Sequence, residues 1–389
     1  MLLDGCVFPF HPVLGAPPDA MADALREVLA FYPSGSSEHP SGRLAPDDIV
    51  FIDVETTGLS GGAGTYPFLV GVGRMELGKN AFVIEQLFME DYDQERAQLA
   101  ALADRVADAG AIVTFNGRSF DIPLLCNRLI FHRMNHRLLE KPHADLLHPA
   151  RRLWRRRLPS CTLQALEAEL FGLRREGDVP GEMIPQIFFD YVRGRRPEAI
   201  APVIAHNAQD VVTMAGLLLL IGGLIARAEN LPDGFGHELL GLARMLNRRG
   251  ERRRAAACRE RAAGDLTEPD LQAAALFDLG LDYKRMEQWR DALEAFESAA
   301  RIAPPELSLR ARVEMSKIYE HRTHQHADAL RTVNAALDYL QQHRELLFYT
   351  TGGMADDADH TDLWTAWRNA LLHRRTRLQK KLARCEVVS

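Results

Sequence analysis

The chain has 389 residues, of which 47% are hydrophobic and 26% charged, with a formal net charge of −6. That length holds two or three domains with substantial cores, and the balance is that of an ordinary globular protein. The negative total excludes a protein that coats nucleic acid through bulk positive charge but permits local readers. Arginines crowd two stretches, Arg151, Arg152, Arg155, Arg156 and Arg157, then Arg248, Arg249, Arg252, Arg253 and Arg254; both read most simply as solvated helix faces. The most apolar stretch, Val211 to Ala226, reads as a buried helix, so no membrane partner is expected. MLLDGCVFPFHP has neither a basic start nor a long apolar core, so no secretory leader is expected. Five cysteines (Cys6, Cys126, Cys161, Cys258, Cys385) without CxxC spacing suit reduced thiols and a cytoplasmic location.

Residues 1–47 read as an N-terminal arm. It carries one helix, opened by Pro17 and Asp19, with Met21, Leu25, Val28 and Leu29 at helical spacing, and PSGSSEHPSG follows as a loop. His11 and His39 read as surface residues. The next stretch, IVFIDVETTGL, is a buried strand by its β-branched and aromatic content. Asp53 and Glu55 interrupt it two residues apart, so their side chains leave the same face. Two such anions side by side lose hydration and repel unless a cation sits between them; the plain alternative is a solvated strand end. Glycines 58, 61, 62 and 64 mark a tight turn that is no P-loop, because no GK[ST] closes it.

Further strands are expected at Phe68–Met75 and Phe82–Met89, joined by a turn at Gly78-Lys79-Asn80. A helix carrying Leu99, Leu102 and Val106 follows. AIVTFNGRSFD gives a short strand, Ala111–Phe115, a turn, and a helix from about Phe120. Asp121 then stands at a helix start beyond a strand end, where α/β sheets place ligands, or serves only as a helix cap or first-turn acid. Asp145 reads as the N-cap of the following helix, with a strand-end acid in the same cleft as the alternative. In SCTLQALEAELFGL, Thr162 is the cap and Gly172 the stop, and DVPGE is a turn. The long helix AIAPVIAHNAQDVVTMAGLLLLIGGLI puts His206 and Asp210 on one face, four residues apart.

From about residue 237 the chain turns to Ala, Leu, Arg and Glu with no strand pattern. In LFDLGLDYKRMEQWRDALEAFESAARIAP, the residues Leu276, Leu279, Gly280, Tyr283, Ala292, Phe296, Ala299 and Pro304 match the small and large positions of a tetratricopeptide repeat. Weaker copies flank it, at Leu239 to Ala262 and Met315 to Ala336. From Ala243 to Gly280 is 37 residues, against a usual period of about 34. Three helical hairpins and a terminal helix (about Thr361 to Leu382) would stack into a short solenoid that binds a protein partner or acts as a spacer.

Asp53, Glu55, Asp121 and Asp210 form an oxygen-only set suited to Mg²⁺ or Mn²⁺. Two such ions, roughly 3.5–4 Å apart, clamp the attacking and leaving oxygens of a phosphodiester, and a nearby imidazole such as His206 accepts a proton from water. FIDVETTGL resembles the first motif of the DEDD 3′–5′ exonuclease superfamily. NGRSFD is similar to its second motif in the NxxxFD form, and HNAQD resembles the third. The wider run from DVETTGLSGGAGTYPFLVGVG through HADLLHPARRLW, SCTLQALE, DVPGE and HNAQDVV is similar to the bacterial YprB-type ribonuclease H-like family, over roughly residues 48 to 226.

The resemblance implies a ribonuclease H-like α/β domain at 48–230, with a mixed five-stranded sheet and flanking helices, ahead of an all-α repeat domain at 235–389. It implies two metal ions on Asp53, Glu55, Asp121 and Asp210, with Thr57, Gly58 and Leu59 on the 3′-terminal nucleotide and Asn116 and Phe120 on the adjacent base and backbone. Packing in the core is the alternative role for Leu59 and Phe120. His206 stands four residues before Asp210, the spacing of the superfamily's tyrosine-type members. Its open roles are general base, water-orienting group and phosphate contact. The activity implied is 3′–5′ exonucleolytic hydrolysis of single-stranded DNA or RNA; the other reading is an inactive nuclease-fold module that binds nucleic acid while the repeats recruit a partner.

Overall fold

In the computed structural model the described residues are 2–9, 19–32, 44–58, 64–76, 81–134, 138–345 and 363–386. The expected turn at Gly78–Asn80, and His11, His39 and Leu59, lie outside them. The chain divides into two compact units, Met1–Arg227 and Ala228–Ser389.

The first unit contains the strands β1 (Leu2–Pro9), β2 (Ile49–Thr56), β3 (Pro67–Glu76), β4 (Ala81–Phe88), β5 (Ala111–Thr114) and β6 (His143–Asp145). They form one sheet in the order β1-β4-β3-β2-β5-β6. β2, β3 and β4 are an antiparallel meander, and β5 and β6 add in parallel beside β2. Its helices are α1 (Asp19–Leu29), α2 (Glu95–Val106), α3 (Asp121–Phe131), α4 (Leu147–Trp154), α5 (Leu163–Phe171), α6 (Ile184–Val192) and α7 (Ile200–Ala226). The caps expected on α5 are present: Thr162 accepts from the Ala165 N–H at 3.3 Å, and Gly172 ends the helix at φ 69°.

The mixed five-stranded sheet is present as β2 to β6, and a sixth strand extends it. β1 pairs antiparallel with the edge strand β4. The described residues 2–9 and 19–29, read from the sequence as part of an N-terminal arm, therefore pack on this unit, since α1 also packs against α7. Gly222 lets that happen, because a Cβ there would come within 2.3 Å of Ala24 Cα. β1 was hidden because its partner lies some 80 residues away and LLDGCVFP has no clean alternation.

Alternation along β2 sorts its side chains. Val50, Ile52 and Val54 pack with Leu99, Leu102, Ile122, Leu125 and Leu129 of α2 and α3. The intervening Phe51, Asp53 and Glu55 leave the opposite face. That face is bare at β3, where Gly71 and Gly73 pair with Asp53 and Phe51. A Cβ on Gly71 would meet Asn207 Oδ1 at 2.4 Å, and one on Gly73 would meet Val211 at 2.5 Å. α7 thus lies directly on backbone. It is long and apolar enough to cross a membrane, yet Val211, Met214, Leu217, Leu218, Ile221 and Ile225 are buried within the fold. Beside it, Phe68 of β3 stacks on Phe188 of α6 at 4.1 Å. Burying each such large apolar side chain contributes about 1.5–3 kcal/mol.

The second unit is helical throughout its described residues: α8 (Gly236–Arg248), α9 (Arg252–Asp265), α10 (Pro269–Arg285), α11 (Trp289–Ile302), α12 (Pro305–His321), α13 (His326–Gln342) and α14 (Leu363–Glu386), besides a single turn at Ala228–Asn230. Each helix packs on the next in chain order. At Gly280 a Cβ would stand 2.7 Å from the Phe296 ring, so α10 and α11 touch closely where the sequence has its small residue. Buried Asp282 binds Arg259 and accepts from Asn247 at 2.9 Å. Glu320 on α12, fully buried, takes Arg374 at 3.0 Å, Arg377 at 2.6 Å and Lys381 at 2.9 Å from α14.

Candidate active site

Asp53 and Glu55 sit near the end of β2, on the face toward α7. Asp53 Oδ2 accepts a 2.8 Å hydrogen bond from the Asn207 amide of α7. Asn207 is fully buried, and its Oδ1 in turn accepts from Gln86 of β4 at 2.9 Å. Because Asn207 is tied to both strands, its neighbours His206 and Asp210 are fixed over the same strand end.

Asp121 arrives from the other direction. After β5, Asn116 takes φ 66°, a left-handed conformation that Asn tolerates better than most residues. Gly117 then passes so close to Thr114 and Asp121 that a Cβ would sit 2.8 Å from Asp121 Oδ2. The loop is held by Asp145, fully buried at the end of β6, whose carboxylate accepts from the Asn116 N–H at 2.8 Å, the Arg118 N–H at 3.1 Å and the Leu147 N–H at 3.1 Å. The Leu147 bond reaches the first residue of α4, whose N-cap is Leu146 without a side-chain cap bond, so Asp145 is the strand-end acid of the alternative reading and not the N-cap. The two others make Asp145 the organiser of the loop that delivers Asp121.

The four acids expected to converge do so electrostatically. Burial pushes the Asp53 carboxyl well above the ordinary range, and the charges of Asp210, Glu55 and Asp121 push it further, against the Asn207 hydrogen bond. Burial, then Glu55, Asp145 and Asp210, push Asp121 up to about 8. Glu55 rises to about 7, chiefly through burial, with His206 opposing and Asp210 and Asp178 adding. Burial raises Asp210 too, against the pull of Arg175 and His206.

Residues outside the expected set complete the cluster. Arg175, in the segment after α5, bonds Asp210 at 2.5 Å and Glu167 at 2.7 Å. Asp178, from the DVPGE turn, stands 2.7 Å from His206 Nδ1. The other ring nitrogen, Nε2, faces Asp210 at 3.6 Å and Glu55 at 3.9 Å. Burial alone would raise the Asp178 carboxyl, but the bond from His206 and the charges of His206 and Arg175 hold it below its usual value. None of these partners carried a sequence signal beyond a polar residue in a turn or beside a motif.

As the side chains stand, no group of three or more His, Cys, Asp or Glu among the described residues is arranged to hold a metal ion. Asp210 is engaged by Arg175 and Asp53 by Asn207. The chemistry of the donors still fits a hard divalent cation: several carboxylates, oxygen only, raising one another's proton affinity in a confined space. Of the expected substrate contacts, Asn116 is exposed and Phe120 and Gly58 are half-buried. Thr57 is buried, and its hydroxyl accepts from the Tyr66 N–H at 2.9 Å, so its side chain closes the turn from within.

Residues 50–221 match a family model described as the RNase_H superfamily. The chain is also 29% identical over 317 residues to the uncharacterized protein YprB of Bacillus subtilis (strain 168), a match that covers 80% of this chain and 75% of that protein.

Proposed function

We propose that the domain at 50–221, of the nuclease-like RNase H superfamily, is a metal-dependent 3′–5′ exonuclease acting on single-stranded DNA or RNA. The observation that carries this reading is the meeting of Asp53 and Glu55 of β2, Asp121 of α3 and Asp210 of α7, which perturb one another's charge. These four would hold two ions, Mg²⁺ or Mn²⁺, which when bound would activate water and neutralise charge on the phosphate. His206 presents Nε2 toward Glu55 and Asp210, where it would take the proton of the attacking water. Asn116 and Phe120, just ahead of Asp121, and Thr57, Gly58 and Leu59, just after Glu55, would guide the 3′ end. The repeat-like helices of the second unit would recruit a protein partner or present substrate. The free thiols of Cys126, Cys161 and Cys258 support work in a reducing cytoplasm.

A second reading, a nuclease fold that binds without cutting, draws support from the Arg175 bond to Asp210. One assay separates the two. The protein is incubated with 3′- and 5′-labelled DNA and RNA in Mg²⁺ or Mn²⁺, beside Asp53→Ala. Stepwise loss from the 3′ end that disappears in the variant supports the enzyme. Retention of intact substrate under every condition supports the binding module.

A further inference from the structure

We infer that Asp178 is a positioning residue that fixes the tautomer and ring plane of His206, an inference that rests on the nuclease reading for its kinetic consequence. Two groups approach His206 Nδ1. Asp178 Oδ1 stands at 2.7 Å, and Arg175 Nη1 at 3.5 Å. A carboxylate only accepts and a guanidinium only donates, so the two would demand opposite tautomers. The shorter contact prevails: Nδ1 carries the hydrogen and gives it to Asp178, which leaves Nε2 with its lone pair. Nε2 is the nitrogen that faces Glu55 and Asp210, at 3.9 and 3.6 Å, separations longer than a direct hydrogen bond.

Asp178 is itself held. The Val179 N–H donates to Oδ1 at 2.9 Å, and the Gln164 amide donates to Oδ2 at 2.7 Å. The carboxylate therefore reaches His206 in one orientation, and the DVPGE turn delivers it. This geometry also answers the spacing of His206. On α7 the i, i+4 step puts the ring on the same face as Asp210, and a residue from a separate loop supplies the orientation.

Because the Val179 N–H and His206 share Oδ1, an asparagine at 178 would place its carbonyl oxygen there and keep accepting from both. Asp178→Ala has no acceptor to offer. Two measurements test the inference. In ¹⁵N-histidine spectra of the full chain, recorded at a pH where the ring is neutral, wild type and Asp178→Asn show a protonated Nδ1 and a bare Nε2, while Asp178→Ala loses that pattern. In the exonuclease assay Asp178→Ala lowers kcat by ~10–10² with KM unchanged, Asp178→Asn recovers most of the loss, and Asp178→Ala costs nothing further in a His206→Ala background. A bare Nδ1 in wild type, an Asn variant no better than Ala, or a second full loss in the double variant would overturn it. The spectra need no turnover, so a protein that cleaves nothing refutes the nuclease reading while the nitrogen pattern still judges Asp178.

Discussion

Gly71→Ala tests the approach of α7 to the sheet, on which the site depends. The added methyl would lie 2.4 Å from Asn207 Oδ1 and 3.0 Å from Val211 Cγ2. Neither neighbour is the loose end of a flexible chain, because Asn207 is fully buried and bonded to both Gln86 and Asp53. Forcing a methyl into such packing costs about 1–3 kcal/mol, and displacing an amide from a carboxylate loses about 1.5–3 kcal/mol more. The two together, about 2.5–6 kcal/mol, lower the melting temperature of a unit of this size by roughly 5–24 °C. Calorimetry of the full chain measures the loss, and hydrogen exchange over residues 200–226 places it on α7. Gly181→Ala, with nothing within 4 Å of its Cβ, is the neutral control. Asn207→Ala should absorb most of the effect, because the shortest clash disappears with the amide. A Gly71→Ala protein within about 0.5 kcal/mol of wild type, the range of ordinary surface changes, would refute the close approach.

The raised carboxyls make metal-free stability fall as pH rises, because the folded protein keeps protons that the unfolded chain has already released. For Glu55, with an ordinary value of 4.5 and a folded value of about 7, the loss is complete above pH 7 and on the order of 3 kcal/mol. Melts in chelator at pH 5 and pH 8 measure it, and added Mn²⁺ should raise the melting temperature more at pH 8. Asp53→Asn should flatten the fall of stability with pH, because one raised carboxyl is gone, while lowering the cleavage rate at least ~10²-fold; the same melts and the labelled-end assay read both. Arg175→Met leaves Glu167 and Asp210 without their shared cation and should cost about 3–5 kcal/mol at pH 8. Urea unfolding measures that loss, which shrinks as pH falls because burial raises the proton affinity of Asp210.

Asp53 and Glu55 were legible because a strand's two-residue period makes their shared face a matter of counting. Asp121 and Asp210 were legible as acids at a strand-to-helix turn and beside a helical histidine. Asp178, Arg175 and Asn207 were not, because each matters only through contact with residues about 30 to 150 positions away, and a local pattern carries no such information. Asp145 was half legible: the bond to Leu147 is local, whereas those to Asn116 and Arg118 cross from β6 to the loop after β5. β1 escaped for the same reason as Arg175. The glycines at 71 and 73 were visible in the sequence, but their purpose depends on which helix lies against them.

Charge around the site points to what it lacks among the described residues. The guanidinium of Arg175 is shared by Glu167, Asp178 and Asp210, and the His206 imidazole is bonded to Asp178. Asp53 and Asp121 make no ion pair with an Arg or Lys among the described residues, and Asn207 offers Asp53 only a neutral amide. Their raised proton affinity follows directly: without a cation, the cheapest way to keep such groups confined is to protonate them. Protons and divalent ions are thus competitors for the same oxygens. If the acids exist to bind metal, Mn²⁺ must displace protons, and its apparent affinity must strengthen steeply between pH 5 and pH 8. An affinity that is flat across this interval would mean that the acids hold protons for structural reasons alone.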